Sequence, residues 1–236
     1  MKAIILAAGK GMRLRKYHNP PKGLLEFGSK KISILERLIL ILEKKKFKKI
    51  IIITGYKDKL IKRKIGNKAK YIYSPLYKRS NNLQSLLSAK KELKESFFCF
   101  FADLIFDEKI LDKLIKKKGD SCLAVDSGKV LSGTMRFQKK NNKILDVGSH
   151  IPVKKGDGNF IGISKFSKKG AITLKQYLLK EKDNNKDYYT YVIKKIVKDQ
   201  KIVNYLDCKK HFWKEIDTYK DLCDMKDIIN KKKFKY

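Results

Sequence analysis

Apolar residues fall in short unbroken runs at 3–8, 50–53, 97–102 and 122–125, each closed by a glycine or a polar residue, within segments 3–8, 49–54, 97–102 and 121–125. Runs of this length, rich in Ile, Val and Phe, read as strands buried on both faces. Between the first two, Ile34, Leu35, Leu38, Ile41 and Leu42 recur at helical spacing behind Ser33. That spacing predicts a helix capped by Ser33 and running through Lys46. Strand, long helix, strand is a βαβ unit, so the sheet is expected to be parallel, with the chemistry at the carboxyl ends of its strands. Further along, the pattern predicts a helix over 57–64, a strand over 70–73, and a helix opened by Asn81 or Asn82 and continuing to Glu95. After the strand at 97–102 come an apolar Leu104-Ile105-Phe106, a helix over 108–117 and the strand at 121–125. Residues 134–138 and 143–147 alternate around Asn141-Asn142, a hairpin signal that suggests a small antiparallel addition on one side of the sheet. A helix capped by Ser167 and reaching Lys180, a helix over 187–198, a strand over 201–205 and a last helix to Ile229 complete the pattern.

A length of 236 residues suits one α/β domain. Lys and Arg number 58 against 24 Asp and Glu, a formal charge of +34, which read directly points to nucleic acid or an anionic membrane surface. Two features change that picture. Lysine far outnumbers arginine and is spread along the chain with Ile, Asn and Tyr, as in drift toward AT-rich codons. The runs Lys44-Lys45-Lys46, Lys116-Lys117-Lys118 and Lys231-Lys232-Lys233 fall at helix ends or at the terminus, where cations are solvated and suit the helix dipole. A field of this sign still attracts a nucleoside triphosphate. No apolar stretch has the length of a membrane span, and Met1 leads straight into a strand, so a cytoplasmic protein is expected. The four cysteines are scattered and form no CxxC pair, so neither a disulfide frame nor a zinc site is indicated.

Candidate chemistry begins where the first strand breaks at Gly9 and Gly11. Glycines there let backbone N–H groups approach a phosphate, and Arg13 and Lys22 add full charges. Leu14 replaces the third glycine of GxGxxG, and GxxxxGKS/T does not occur, so taken alone the loop reads equally as a tight turn with two surface cations. Gly55-Tyr56 ends the second strand at the same edge. Asn81-Asn82 with Ser85 is either a helix cap or a cluster of donors and acceptors facing the glycine loop. Asp103, directly after a buried strand, is a turn residue or a metal ligand. On an extended segment Glu215 and Asp217 share a face while Ile216 points to the core. Asp217 then caps the last helix or, with Glu215, faces a cation that relieves their repulsion. Paired tyrosines such as Tyr188-Tyr189 read as half-buried packing residues.

Together, the stretch LAAGxGxRL at Leu6–Leu14 and PKxLL at Pro21–Leu25 resembles the signature of nucleotidyltransferases that activate sugar phosphates or phosphoalcohols. The Asn-Asn-x-x-Ser-Leu stretch at Asn81–Leu86, Ala102–Phe106, Asn159–Phe166 and Trp213–Thr218 extend the resemblance over nearly the whole chain, closest to the phosphocholine and phosphonate cytidylyltransferases. The resemblance implies an α/β Rossmann-like three-layer fold with a mixed, mostly parallel sheet. It also implies a nucleotide-binding part over about 1–120 and an acceptor-binding part over about 121–236. It implies nucleotide contacts from Leu6, Ala7, Ala8, Gly9, Gly11, Arg13, Lys22, Gly55, Tyr56, Asn82 and Ser85, and acceptor contacts from Asp126, Tyr188, Tyr189 and Glu215. Lys22, Arg13 and Asp103 are the implied catalytic residues, with Mg²⁺ held by Asp103 and Asp217. Relatives carry acids after the tyrosine pair where this chain has Thr190-Tyr191, which puts the acceptor pocket in doubt. The implied reaction is transfer of CMP from CTP to a small phosphate or phosphonate acceptor with release of pyrophosphate, by a monomer or homodimer. A hexose-1-phosphate nucleotidyltransferase and a nucleic-acid-binding protein on a degenerate transferase fold are the alternatives.

Overall fold

The computed structural model describes residues 1–231, so Lys232 and Lys233 of the terminal lysine run lie outside the described residues. In chain order the strands are β1 (Lys2–Ala7), β2 (Glu26–Phe27), β3 (Ile32–Ser33), β4 (Lys49–Thr54), β5 (Lys70–Tyr73), β6 (Phe97–Phe101), β7 (Leu104–Phe106), β8 (Ser121–Asp126), β9 (Arg136–Lys140), β10 (Lys143–Gly148), β11 (Gly158–Phe166), β12 (Asn204–Asp207) and β13 (Trp213–Glu215). The helices are α1 (Ile34–Lys44), α2 (Asp58–Ile65), α3 (Asn82–Ser88), α4 (Glu108–Lys116), α5 (Lys168–Lys180), α6 (Tyr189–Lys198) and α7 (Tyr219–Asn230).

The main sheet runs β10-β9-β11-β6-β1-β4-β5, with β8 also paired to β11 and carrying β12. Strands β6, β1, β4 and β5 are parallel, and β11 turns antiparallel against β6. Alternation along β1 explains the three layers. Ile4, Leu6 and Ala8 enter one core with residues of α3, α5 and α6, while Ala3, Ile5 and Ala7 enter the other with residues of α1, α2 and α4. A strand buried on both faces needs apolar residues at every position, which is why its sequence is an unbroken run. The β9–β10 hairpin closes through Asn141 and Asn142, both in the left-handed region, where the turn twists with its strands. It extends the main sheet through β11 rather than standing apart from it.

Several elements differ from the sequence expectation, among them α1, which ends at Lys44, and β9, which starts at Arg136. Helix α3 stops at Ser88, not Glu95, because the chain curls through i→i+3 bonds such as Glu92 N–H to Ala89 O, burying Leu93 and bringing Glu92 to the strand ends. Helix α6 starts at Tyr189, where the Asn82 side chain accepts the Tyr189 N–H at 2.8 Å. Strand β12 starts at Asn204, its register set by pairing with Cys122–Val125 of β8. Cys99, Cys122 and Cys208 are buried free thiols, and burial pushes those of Cys122 and Cys208 up to about 12. Among the described residues no helix is long and apolar enough to cross a membrane.

At the amino ends of β1, β4 and β5, the first residues Lys2, Lys49 and Lys70 converge on Glu92. Burial alone would raise the Glu92 carboxyl, but hydrogen bonds from Lys49 and Lys70 overcome it and hold it at about 2. A carboxylate depressed in this way stabilises the fold above its unfolded value of 4.5, and the contribution is lost as pH falls toward 2. Glu92→Gln is expected to cost about 2 kcal/mol at pH 7, discounted for the half-exposed lysines. In denaturant unfolding, its difference from the parent should shrink as pH drops from about 4.5 to 2.

Candidate active site

The site lies at the opposite ends of the strands, past the carboxyl ends of β1 and β6. From β1 the chain runs through Ala8-Gly9-Lys10-Gly11. Gly11 is in the left-handed region (φ 60°), and a Cβ there would stand 2.8 Å from Lys22 Cγ. Both facts demand glycine. Leu14 returns its N–H to Gly11 O at 3.0 Å and is fully buried, anchoring the loop from below. Lys22 sits on a single 3₁₀ turn, Lys22–Leu24, that follows Pro20-Pro21. Gly23 lets that turn press on Leu35, since a Cβ would lie 2.7 Å from its Cγ.

The carboxylates arrive by strand pairing. Strand β13 runs antiparallel to β7 with Glu215 opposite Leu104, and Ile216 N–H donates to Asp103 O at 2.9 Å. That register sets Asp103 and Asp217 side by side although 114 residues (217 − 103) separate them. The Lys22 ammonium bridges them, paired with Asp103 and donating to Asp217 Oδ1 at 3.0 Å, while the Arg13 guanidinium takes Asp217 Oδ2. Lys22, Asp103 and Asp217 are each less than a fifth exposed. Burial would lower the Lys22 ammonium, but Asp103, Asp217 and Glu215 outweigh it and hold it above the ordinary lysine value. Burial, then the Asp103 charge, pushes the Glu215 carboxyl up to about 8.

One small core carries all of these groups. Leu14, Leu25, Phe27, Ile34, Ile105, Ile216, Leu222 and Met225 pack together. Leu14 adjoins Arg13, Leu25 follows the Lys22 turn, Ile105 is two residues past Asp103, and Ile216 lies between Glu215 and Asp217. Thr218, rather than Asp217, caps α7, in a capping box with Asp221. Asp217 is thereby left to face the cleft.

The cleft holds about 420 Å³. Of the residues singled out in the sequence, Leu6, Ala7, Ala8, Gly9, Gly11, Arg13, Lys22, Asn82, Ser85, Asp103, Tyr188, Glu215 and Asp217 line it. Gly55, Tyr56, Asp126 and Tyr189 do not, each for a structural reason. Gly55 packs directly on the loop backbone, where a Cβ would be 2.8 Å from Ala8 O. The Tyr56 hydroxyl donates to Asn19 Oδ1 at 2.7 Å, tying down the far end of the glycine loop. Asp126 accepts from Trp213 Nε1 at 2.8 Å and from Gly128 N–H. Tyr189 is fully buried, its hydroxyl 3.1 Å from Ser164 Oγ. Asn81 and Asn82 do not cap their own helix by their side chains. They tie α3 to the segment before α6, Asn81 Nδ2 donating to Lys186 O and Asn82 accepting from Tyr189. Thr190 is buried with its hydroxyl on Met135 Sδ.

Other wall residues escaped the sequence reading. Lys10, hidden in a lysine-rich chain, lines the cleft and donates to Lys78 O at 2.9 Å. Gly133-Thr134-Met135 also lines it, in a segment held by buried Asn159, whose Oδ1 accepts from Leu131 N–H and Thr134 Oγ1. Only the fold reveals that support.

A family model for the MobA-like NTP transferase domain matches residues 3–145, more than half of the chain. The chain belongs to that family. It is 41% identical over 101 residues to the choline-phosphate cytidylyltransferase of Streptococcus pneumoniae, an alignment covering 41% of this chain and 42% of that protein. It is 26% identical over 187 residues to the CTP:phosphoglutamine cytidylyltransferase of Campylobacter jejuni, covering 71% and 73%. Its fold superposes on the solved structure of the CTP:phosphocholine cytidylyltransferase of Streptococcus pneumoniae with a TM-score of 0.77 at 25% identity, covering 97% of this chain and 98% of that one. The matched region spans less than half the length of the first curated relatives.

In this MobA-like NTP transferase, Asp103 and Asp217 both reach the single Lys22 ammonium, so their oxygens already converge on one point. Two carboxylates there fit a hard divalent ion whose remaining ligands are phosphate oxygens and water. Among the described residues no group of three or more His, Cys, Asp or Glu side chains is placed to hold an ion unaided. The small core makes the arrangement fragile to changes that touch no charge. Ile216→Ala is expected to lower stability by about 3 kcal/mol in denaturant unfolding. It should also loosen the β7–β13 pairing, read as faster amide exchange at Ile216.

Proposed function

We propose that the protein is a CTP-dependent cytidylyltransferase that moves CMP onto a small phosphate or phosphonate acceptor and releases pyrophosphate. The observation that carries this reading is the Asp103–Lys22–Asp217 bridge set beside a glycine loop at the carboxyl ends of β1 and β6. The choice of CTP is supported by the relatives, whose names couple CTP to phosphocholine and phosphoglutamine.

The chemical difficulty is an anion attacking an anion. An acceptor oxygen forms a bond to the α-phosphorus while the bond from that phosphorus to the bridging oxygen breaks, its electron pair leaving with pyrophosphate. An acceptor phosphate oxygen is already ionised at neutral pH, so no base is needed and catalysis comes from alignment and charge stabilisation. Gly9 and Gly11 N–H groups and Arg13 bind the β- and γ-phosphates, and Lys22 meets the charge growing at the α-phosphate. Asp103 and Asp217 would hold Mg²⁺, which supplies Lewis-acid neutralisation between the two anions. Asn82 and Ser85, on the cleft wall formed by α3, face the nucleoside, and Tyr188 faces the acceptor. The acceptor side has no acid at position 190, since Thr190 is turned into the core.

Sugar-phosphate enzymes match as well, among them a UTP–glucose-1-phosphate uridylyltransferase of Haloferax volcanii at 27% identity over 124 residues. Pyrophosphate release measured with each of the four triphosphates against phosphocholine, 2-aminoethylphosphonate, inositol phosphate and hexose 1-phosphates separates the readings. Turnover confined to CTP with a non-sugar acceptor is expected. Turnover with UTP, GTP or dTTP and a hexose 1-phosphate overturns the proposal. Salt-sensitive binding to DNA or RNA with no turnover would favour the nucleic-acid alternative.

Lys22→Ala and Asp103→Ala are each expected to lower turnover about a hundredfold or more, the usual effect of removing a charge-stabilising group. Pyrophosphate release by folded variants checks this, and near-parental rates would remove the residue from its assigned role.

A further inference from the structure

The cation that reaches both Asp103 and Asp217 is a side chain. Lys22 pairs with both carboxylates, and Arg13 takes the second oxygen of Asp217. The two aspartates thus already face two cations, Lys22 and Arg13. Three of the four side chains are less than a fifth exposed, so water screens them poorly. A divalent ion entering this cluster alone meets an ammonium already paired with both carboxylates and is repelled by it. A triphosphate changes the balance, because its oxygens offer Lys22 and Arg13 new partners and the carboxylates are then freed.

We propose that Lys22, assisted by Arg13, is the resident counter-ion of the carboxylate pair, a placeholder that keeps divalent ions out until a nucleoside triphosphate draws both cations away. The inference rests on the reading of Asp103 and Asp217 as ion ligands but not on the choice of base or acceptor. It makes ion and nucleotide binding mutually dependent, each raising the affinity for the other by the same factor. Lys22 then has two duties, neutralising the acids while the site is empty and the phosphates once it is filled. The hold on Lys22 is reinforced by Gly11, whose missing Cβ leaves the space its stem occupies.

Mn²⁺ binding followed by electron paramagnetic resonance tests this without any turnover. The parent protein, Lys22→Met and Arg13→Gln are titrated with Mn²⁺ alone and again with CTP present, and circular dichroism verifies the fold. Parent protein is expected to bind Mn²⁺ at least about tenfold more weakly without CTP than with it. Without nucleotide, Lys22→Met should bind Mn²⁺ at least about tenfold more tightly than the parent, with Arg13→Gln between them. Arg13 is 58% exposed, so its variant carries the test if Lys22→Met fails to fold. The inference is overturned if the folded variants bind Mn²⁺ no more tightly than the parent, or if the parent binds it equally well with and without CTP while another triphosphate does no better. Should another triphosphate, and not CTP, strengthen Mn²⁺ binding while the variants gain affinity, the placeholder stands and the cytidine reading fails.

Discussion

The pairing of three residues of β13 with three of β7 is the constraint on which the site depends. Antiparallel register is discrete, and a slip of one residue turns every side chain to the other face. With Glu215 opposite Leu104, Ile216 enters the small core and Asp217 stands beside Asp103. In a slipped register Ile216 would face the cleft and Asp217 the core, at the cost of a buried charge. The hydrophobic demand of Ile216 and the electrostatic demand of Asp217 therefore select the same arrangement. The small core transmits it to the glycine loop through Leu14 and to the Lys22 turn through Leu25.

The two ends of the parallel sheet treat charge in opposite ways. At the amino ends Glu92 faces the three lysines that open β1, β4 and β5, and Glu95 takes Lys2 as well. At the carboxyl ends one lysine faces acids drawn from two distant segments. The first cluster carries excess positive charge, but two of its lysines reach water and lose little by it. In the second, each of the two largely buried aspartates has a cation beside it, as a buried charge requires. Such pairing is also exchangeable. A ligand that brings its own anions can take over the cations, which is the exchange proposed for Lys22 and Arg13.

Polar side chains away from the charges shape the rest of the cleft. Asn81, Asn82 and Gln84 reach from α3 to the segment before α6, Gln84 Nε2 donating to Lys182 O and Asn184 O. Asn159, wholly buried on β11, holds Leu131, Thr134 and Lys129. These amides fix irregular chain where no regular ladder can satisfy the backbone. They define the wall between the glycine loop and Tyr188.

What the sequence alone determined about this protein is what local physics governs. Unbroken apolar runs place β1, β4 and β6, helical spacing places α1, and the glycines and following cations mark the loop that lines the cleft, because burial on two faces and a left-handed backbone leave direct traces in residue type. The spacing of Glu215, Ile216 and Asp217 likewise told which of them face together. The tertiary structure alone decided that Asp103 and Asp217 meet around Lys22, that Asn82 caps a helix other than its own, and that Gly55, Tyr56, Asp126 and Tyr189 serve packing and loop anchoring outside the cleft. It also ended α3 at Ser88 so that Glu92 reaches the strand ends. Each of these depends on partners dozens of residues away, and a side chain's pattern along its own segment carries no record of which distant group it will meet.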